Sequence, residues 1–171
     1  MDVAAVLTDL YGRIPEQVHA AVRGLSAEEL ATSPEPGCNT IGWLVWHLTR
    51  VQDAQIADLM DVDQVWTADG WATRFGRDPD PADTGYGHTR SQMESVRPDG
   101  PEVLLGYFDA TWARTREFLQ GLTPGDLDRV VDERWDPPVT LGVRLVSIAD
   151  DDIAHAGQAA YVRGMLLRRR A

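Results

Sequence analysis

A chain of 171 residues has the size of a single domain and is long enough to bury a core without cross-links. Its 43% hydrophobic and 25% charged residues are those of an ordinary globular protein and exclude wholesale disorder. A net charge of −11 argues against nucleic acid as a partner, because binding phosphates requires a basic surface that releases counterions.

The N-terminus, "MDVAAVLTDLYGR", lacks a basic region followed by an apolar run. No stretch approaches the roughly 18 apolar residues of a membrane span, so a cytoplasmic protein without membrane contact is expected. From Val3 to Leu25 the apolar residues keep mostly three- and four-residue steps, which predicts a helix that Pro15 can kink. In "SAEEL", Ser26 and Glu29 form a capping box for a short helix. The break "SPEPGCN" carries Cys38, which can make no intrachain disulfide and calls for no oxidising compartment. Asn39 or Thr40 then caps a second long helix, with Ile41, Leu44, Val45, Leu48, Val51, Gln52 and Ile56 on or near one stripe and His47 at its edge.

Residues 61–100 are rich in Asp, Gly and Pro, with aromatics at no helical period. The expectation is a long irregular connection with room for one short helix at "SQME", and connections of that length tend to be lids or binding loops. A third long helix is predicted from about Glu102 to Leu122, and "TPGD" at 123–126 starts another short one. "RVVDERWDPPVTLG" leaves room for a short extended piece, and the last long helix should run from about Thr140 to Leu167. The closing "RRR" at 168–170 complements a helix C-terminus. Four apolar stripes make an all-α four-helix bundle, in one domain, the expected fold.

The chemistry sits on the last helix. Its seam of Leu145, Ile148, Ala159 and Val162 is interrupted by "DDD" at 150–152 and by His155. Asp151 is four residues before His155 and Asp152 three, so either carboxylate can meet the imidazole on one helix face. A carboxylate and an imidazole one turn apart form half of a divalent-metal site, and His47 is the best third donor. The competing reading is a solvated acidic face beside a hydrogen-bonded histidine.

The stretches "NTIGWLVWHLTRVQDAQI" at 39–56 and "DDDIAHAGQAAYVRG" at 150–164, with H-x-G-Q at 155–158, resemble the DinB-like (YfiT-like) superfamily of metal-dependent enzymes. The resemblance extends to the N-terminal domain of mycothiol-dependent maleylpyruvate isomerase, among the relatives of that superfamily. The resemblance implies a bundle, often dimeric, holding zinc or nickel on a second-helix histidine and a pair from the last helix. Carried over, these ligands fall on His47, Asp151 and His155, with an aspartate where the three-histidine pattern has a histidine. Asp152, Gln158 and Asp53 are the residues expected to fix the second ring nitrogens of the histidines. Arg50, Trp71 and His88 are the expected pocket residues, with Phe75 and Tyr86 as further loop aromatics, whereas Trp43, Trp46 and Trp112 read as core. The implied function is a metal-dependent transferase or isomerase that acts on a small molecule with a low-molecular-weight thiol such as mycothiol. The alternatives are a metal-dependent hydrolase and a non-catalytic, metal-binding homodimer of stress response.

Overall fold

The computed structural model describes residues 2–169, and Arg170, counted above with the C-terminal arginines, lies outside them. The chain is helical almost throughout. Helix α1 (Val3–Gly12) and helix α2 (Ile14–Val22) are one predicted helix broken at Arg13. Pro15 has no N–H to give Tyr11 and its ring crowds that carbonyl, so the helix restarts with proline in its first turn. Gly24, at φ +75°, turns the chain into α3 (Ala27–Leu30), which carries the Ser26–Glu29 capping box. Of the two caps considered for α4 (Ile41–Met60), Thr40 does the work: its hydroxyl accepts from the Trp43 N–H at 3.0 Å.

Helix α4 is not amphipathic in its first half. Every residue from Ile41 to Arg50 is buried. One side faces the bundle, and the 61–100 segment covers the other. That segment is more ordered than its composition predicts: it contains α5 (Val65–Ala68), α6 (Trp71–Arg74) and α7 (Arg90–Glu94). Val65, Trp66, Phe75, Met93 and Val96 bury into the core, and Trp66 packs its ring against Trp46 and Tyr107.

Helix α8 (Pro101–Gln120) starts on proline and buries Leu104, Tyr107, Phe108, Thr111, Thr115 and Leu119, a single stripe at helical spacing. A 3-10 turn at Pro124–Asp128 begins where Asp126 accepts from the Thr123 N–H at 2.7 Å. The extended piece is a minimal antiparallel hairpin of β1 (Val130–Asp132) and β2 (Val139–Thr140), which leads into α9 (Leu141–Arg168). Around the bundle, α9 packs on α2 and α4, α4 on α8, and α8 on α1. Among the described residues no helix is long and apolar enough to cross a membrane.

Candidate metal centre

His47 projects from the buried half of α4 and is only 5% exposed. Its ring is held on three sides. Trp43, one turn earlier, stacks on it with centroids 4.6 Å apart and planes 10° from parallel. Behind it, Nδ1 meets the Thr84 carbonyl. A carbonyl can only accept, so Nδ1 carries the proton and Nε2 presents its lone pair. Gly85 makes that approach possible, because at φ +88° a Cβ there would lie 2.8 Å from His47 Nδ1 and 2.9 Å from the Trp46 ring.

The loop that delivers Thr84 is itself pinned. Trp43 Nε1 can only donate, and it gives its hydrogen to His88 Nδ1 at 3.2 Å, so His88 Nε2 donates to Asp83 at 2.8 Å. Arg77 holds the other oxygen of Asp83 at 2.8 Å. Burial alone would raise the Asp83 carboxyl, but the hydrogen bonds from Arg77 and His88 outweigh it and hold the group below the ordinary carboxylate range.

Helix α9 supplies the opposite side. Asp151 and His155 lie one turn apart with Oδ1 to Nε2 at 3.5 Å, and the His155 ring stands edge-on to His47 with centroids 4.8 Å apart. Gln158, a further turn on, accepts from His155 Nδ1 through Oε1 at 2.9 Å. Both histidines thus turn Nε2 inward. His47, Asp151 and His155 each offer a ligand atom, and these lie within 4.8 Å of one another. Modest side-chain rotation lets one ion meet all three. Burial pushes the pKa of His47 below the ordinary histidine value, which favours the neutral ring that a metal would need. The hydrogen bond with Asp151 pushes that of His155 up.

Whether this donor set suits a metal is tested by what its atoms lack. Asp151 Oδ2 is buried and has no hydrogen-bond partner among the described residues. A carboxylate oxygen is seldom left so. An orphaned carboxylate oxygen beside the His47 lone pair, with a His155 Nε2 that a cation would take over from its contact with Asp151, fits a divalent cation. The side chains of Asp151 and His155 are 32% and 18% exposed, so the group opens to solvent past α9.

Other residues expected near the site lie elsewhere. Asp53 caps α5, accepting from the Val65 and Trp66 N–H groups at 2.9 and 2.8 Å and from the Tyr107 hydroxyl at 2.8 Å. Arg50 is fully buried and donates to the Asp83 and Pro81 carbonyls and to Tyr107, so it ties the loop down and has no path to a substrate. Trp71 packs on Gly106 and Tyr107 beneath the Arg74 guanidinium. Asp152 points into the bundle near Tyr11, and neither of its oxygens has a hydrogen-bond partner among the described residues. Burial raises its pKa far above the carboxylate range, which makes it a neutral acid and not an orienting anion. Asp150 is solvated. Among the pocket candidates His88 is closest to the centre, but both of its nitrogens are engaged. The loop aromatics divide, with Phe75 buried and Tyr86 92% exposed. Sequence reasoning missed the Thr84 carbonyl. Its only trace was the glycine pair of "GYGH" at 85–88, both at positive φ.

The family model of the DinB superfamily matches residues 10–159, a span that includes His47, Asp151 and His155. The chain belongs to the DinB superfamily. That superfamily is a metal-binding one, in keeping with the inward-facing group. This DinB protein also superposes on the crystal structure of a conserved protein from Enterococcus faecalis with a TM-score of 0.90 and 32% sequence identity, over 98% of each chain. No curated protein sequence matches it.

Proposed function

We propose that this DinB protein is a cytoplasmic metal-dependent transferase or isomerase in which His47, Asp151 and His155 hold one divalent ion, zinc before nickel, and a low-molecular-weight thiol such as mycothiol is the co-substrate. The observation that carries the reading is the pair of imidazoles whose Nδ1 atoms are both occupied, by Thr84 and Gln158, leaving Nε2 of each on the side of an Asp151 carboxylate that has one orphaned oxygen. Such an ion supplies, when bound, a Lewis-acid centre that acidifies a thiol or a water near neutral pH. The residues do the rest. Two neutral imidazoles and one carboxylate leave net positive charge at the centre, and Trp43 closes it on one side.

A thiol is favoured over water for a specific reason. Asp151 is committed as a ligand, and His88 has one nitrogen accepting from Trp43 and the other donating to Asp83. Among the described residues at the centre, neither of these groups is a free base that could take a proton from water. A thiol, with a pKa near about 8.5, needs far less help. Hydrolysis is therefore the second reading. A homodimer belongs to the proposal as well, with Val143, Val146 and Ile153 exposed along α9 as the apolar surface that a second copy would cover.

The test is metal content by elemental analysis of untagged protein, wild type against His155→Ala and Asp151→Ala. About one equivalent is expected in the wild type and little in either variant. Activity should then require added thiol. Turnover of activated esters with no thiol present would move the assignment to a hydrolase, and absence of metal after reconstitution would overturn it.

A further inference from the structure

A cleft of about 570 Å³ opens between the 34–39 turn, the start of α4 and the C-terminal half of α9. Leu44, Val162 and Met165 supply its apolar wall. It adjoins the metal centre, because Gln158 both lines it and accepts from His155. No lining residue is Asp, Glu, Lys, Arg or His. A charged ligand would find no countercharge in that lining.

Gly157 also lines this cleft, in the interior of α9. A glycine inside a helix is destabilising relative to alanine, so it calls for a reason. Packing gives one at Gly42 and Gly106, where a Cβ would meet the Leu30 carbonyl oxygen at 2.9 Å and the Trp71 ring at 2.7 Å. At Gly157 a Cβ would meet nothing within 4 Å, and the backbone is ordinary helix. What the missing side chain preserves is the open space of the cleft. The Gln158 amide adds one directional group: its oxygen is taken by His155, and its nitrogen donates to no group among the described residues.

We propose that this cleft binds the organic acceptor of the metal-centred reaction, an uncharged, mainly apolar molecule with a carbonyl or similar acceptor that takes a hydrogen bond from the Gln158 amide. Gly157 sets how bulky that molecule can be. The identity of the occupant as substrate rests on the metal-dependent reading above, whereas the binding does not.

The experiment uses metal-free full-length protein titrated with acetophenone and with benzoate, a neutral and an anionic ligand of similar size, followed by ligand-detected NMR. The variants are Gly157→Ala and Gly157→Leu, with helical content and melting checked by circular dichroism. Acetophenone should bind at about millimolar concentration, as expected for so small a ligand, and benzoate about tenfold or more weakly. Gly157→Leu should weaken acetophenone about tenfold and Gly157→Ala less, since only the longer side chain fills the cleft. If Gly157→Leu does not fold, protection of Cys38, which lines the same cleft, from iodoacetamide by acetophenone in the wild type decides the matter. No acetophenone binding or protection, equal or tighter benzoate, or binding unchanged in a folded Gly157→Leu would overturn the proposal. Loss of the metal assignment with this binding intact would overturn only the catalytic reading, and metal uptake without this binding only the cleft.

Discussion

Thr84 orients His47 through a backbone atom, so no substitution at residue 84 removes that contact by itself. Gly85 is where it can be attacked. In Gly85→Ala the new Cβ would press on His47 Nδ1 and the Trp46 ring from a backbone at φ +88°, and neither neighbour is free to retreat. The expected cost is about 1–3 kcal/mol of stability, measured by urea unfolding, together with weaker zinc binding as His47 turns. Asp83 offers a second handle, through pH. Its folded-state pKa lies below the ordinary carboxylate value, so its contribution is present above about pH 3.8 and is lost as pH falls through the lower folded value. Asp83→Asn should therefore be less stable than wild type near neutrality, and the gap should close as pH falls below the ordinary carboxylate range. A gap that stays constant with pH would show that Asp83 contributes through shape and not charge.

At the level of elements, α4 and the 61–100 segment support each other. Asp53 stands at the joint: it caps α5, accepts from Tyr107, and lies 3.5 Å from the buried Arg50 guanidinium. Asp53→Ala would leave that guanidinium without its carboxylate and two N–H groups without acceptors. Removing one partner of such a buried pair costs about 3–5 kcal/mol, and limited proteolysis should then cut first within 61–100. Much of the helical skeleton was legible in sequence, because periodicity and caps are local: Ser26, Thr40 and Thr140 each start a helix where their side chains satisfy free N–H groups. The order of 61–100 was not. Trp66 and Phe75 have no helical period to advertise them, and their burial depends on Tyr107, roughly thirty to forty residues further on. The even burial of Ile41–Arg50 was hidden for the same reason, since a stripe argument presumes a solvated back face that this segment removes.

Across the whole molecule, the centre joins two parts that fold by different rules. Asp151 and His155 are one turn apart on one helix, so their meeting could be read from spacing, with the choice of Asp151 over Asp152 coming from the family resemblance. His47 reaches them only because α4 packs against α9, and its orientation comes from a loop carbonyl that no side-chain pattern records. Asp152 and Asp53 misled the sequence reading in the same way: each is a buried acid, but with a structural neighbour in place of a histidine. The stack of Trp43 on His47 has one more consequence, an optical one. Of the six tryptophans, Trp43 alone among the described residues has ring contact with His47 and His155. The molecule therefore carries its own fluorophore against the centre. Zinc added to metal-free protein should change the intrinsic emission and saturate at the stoichiometry found by elemental analysis. In Trp43→Phe the same binding should proceed almost unseen, with the other five indoles as a silent background.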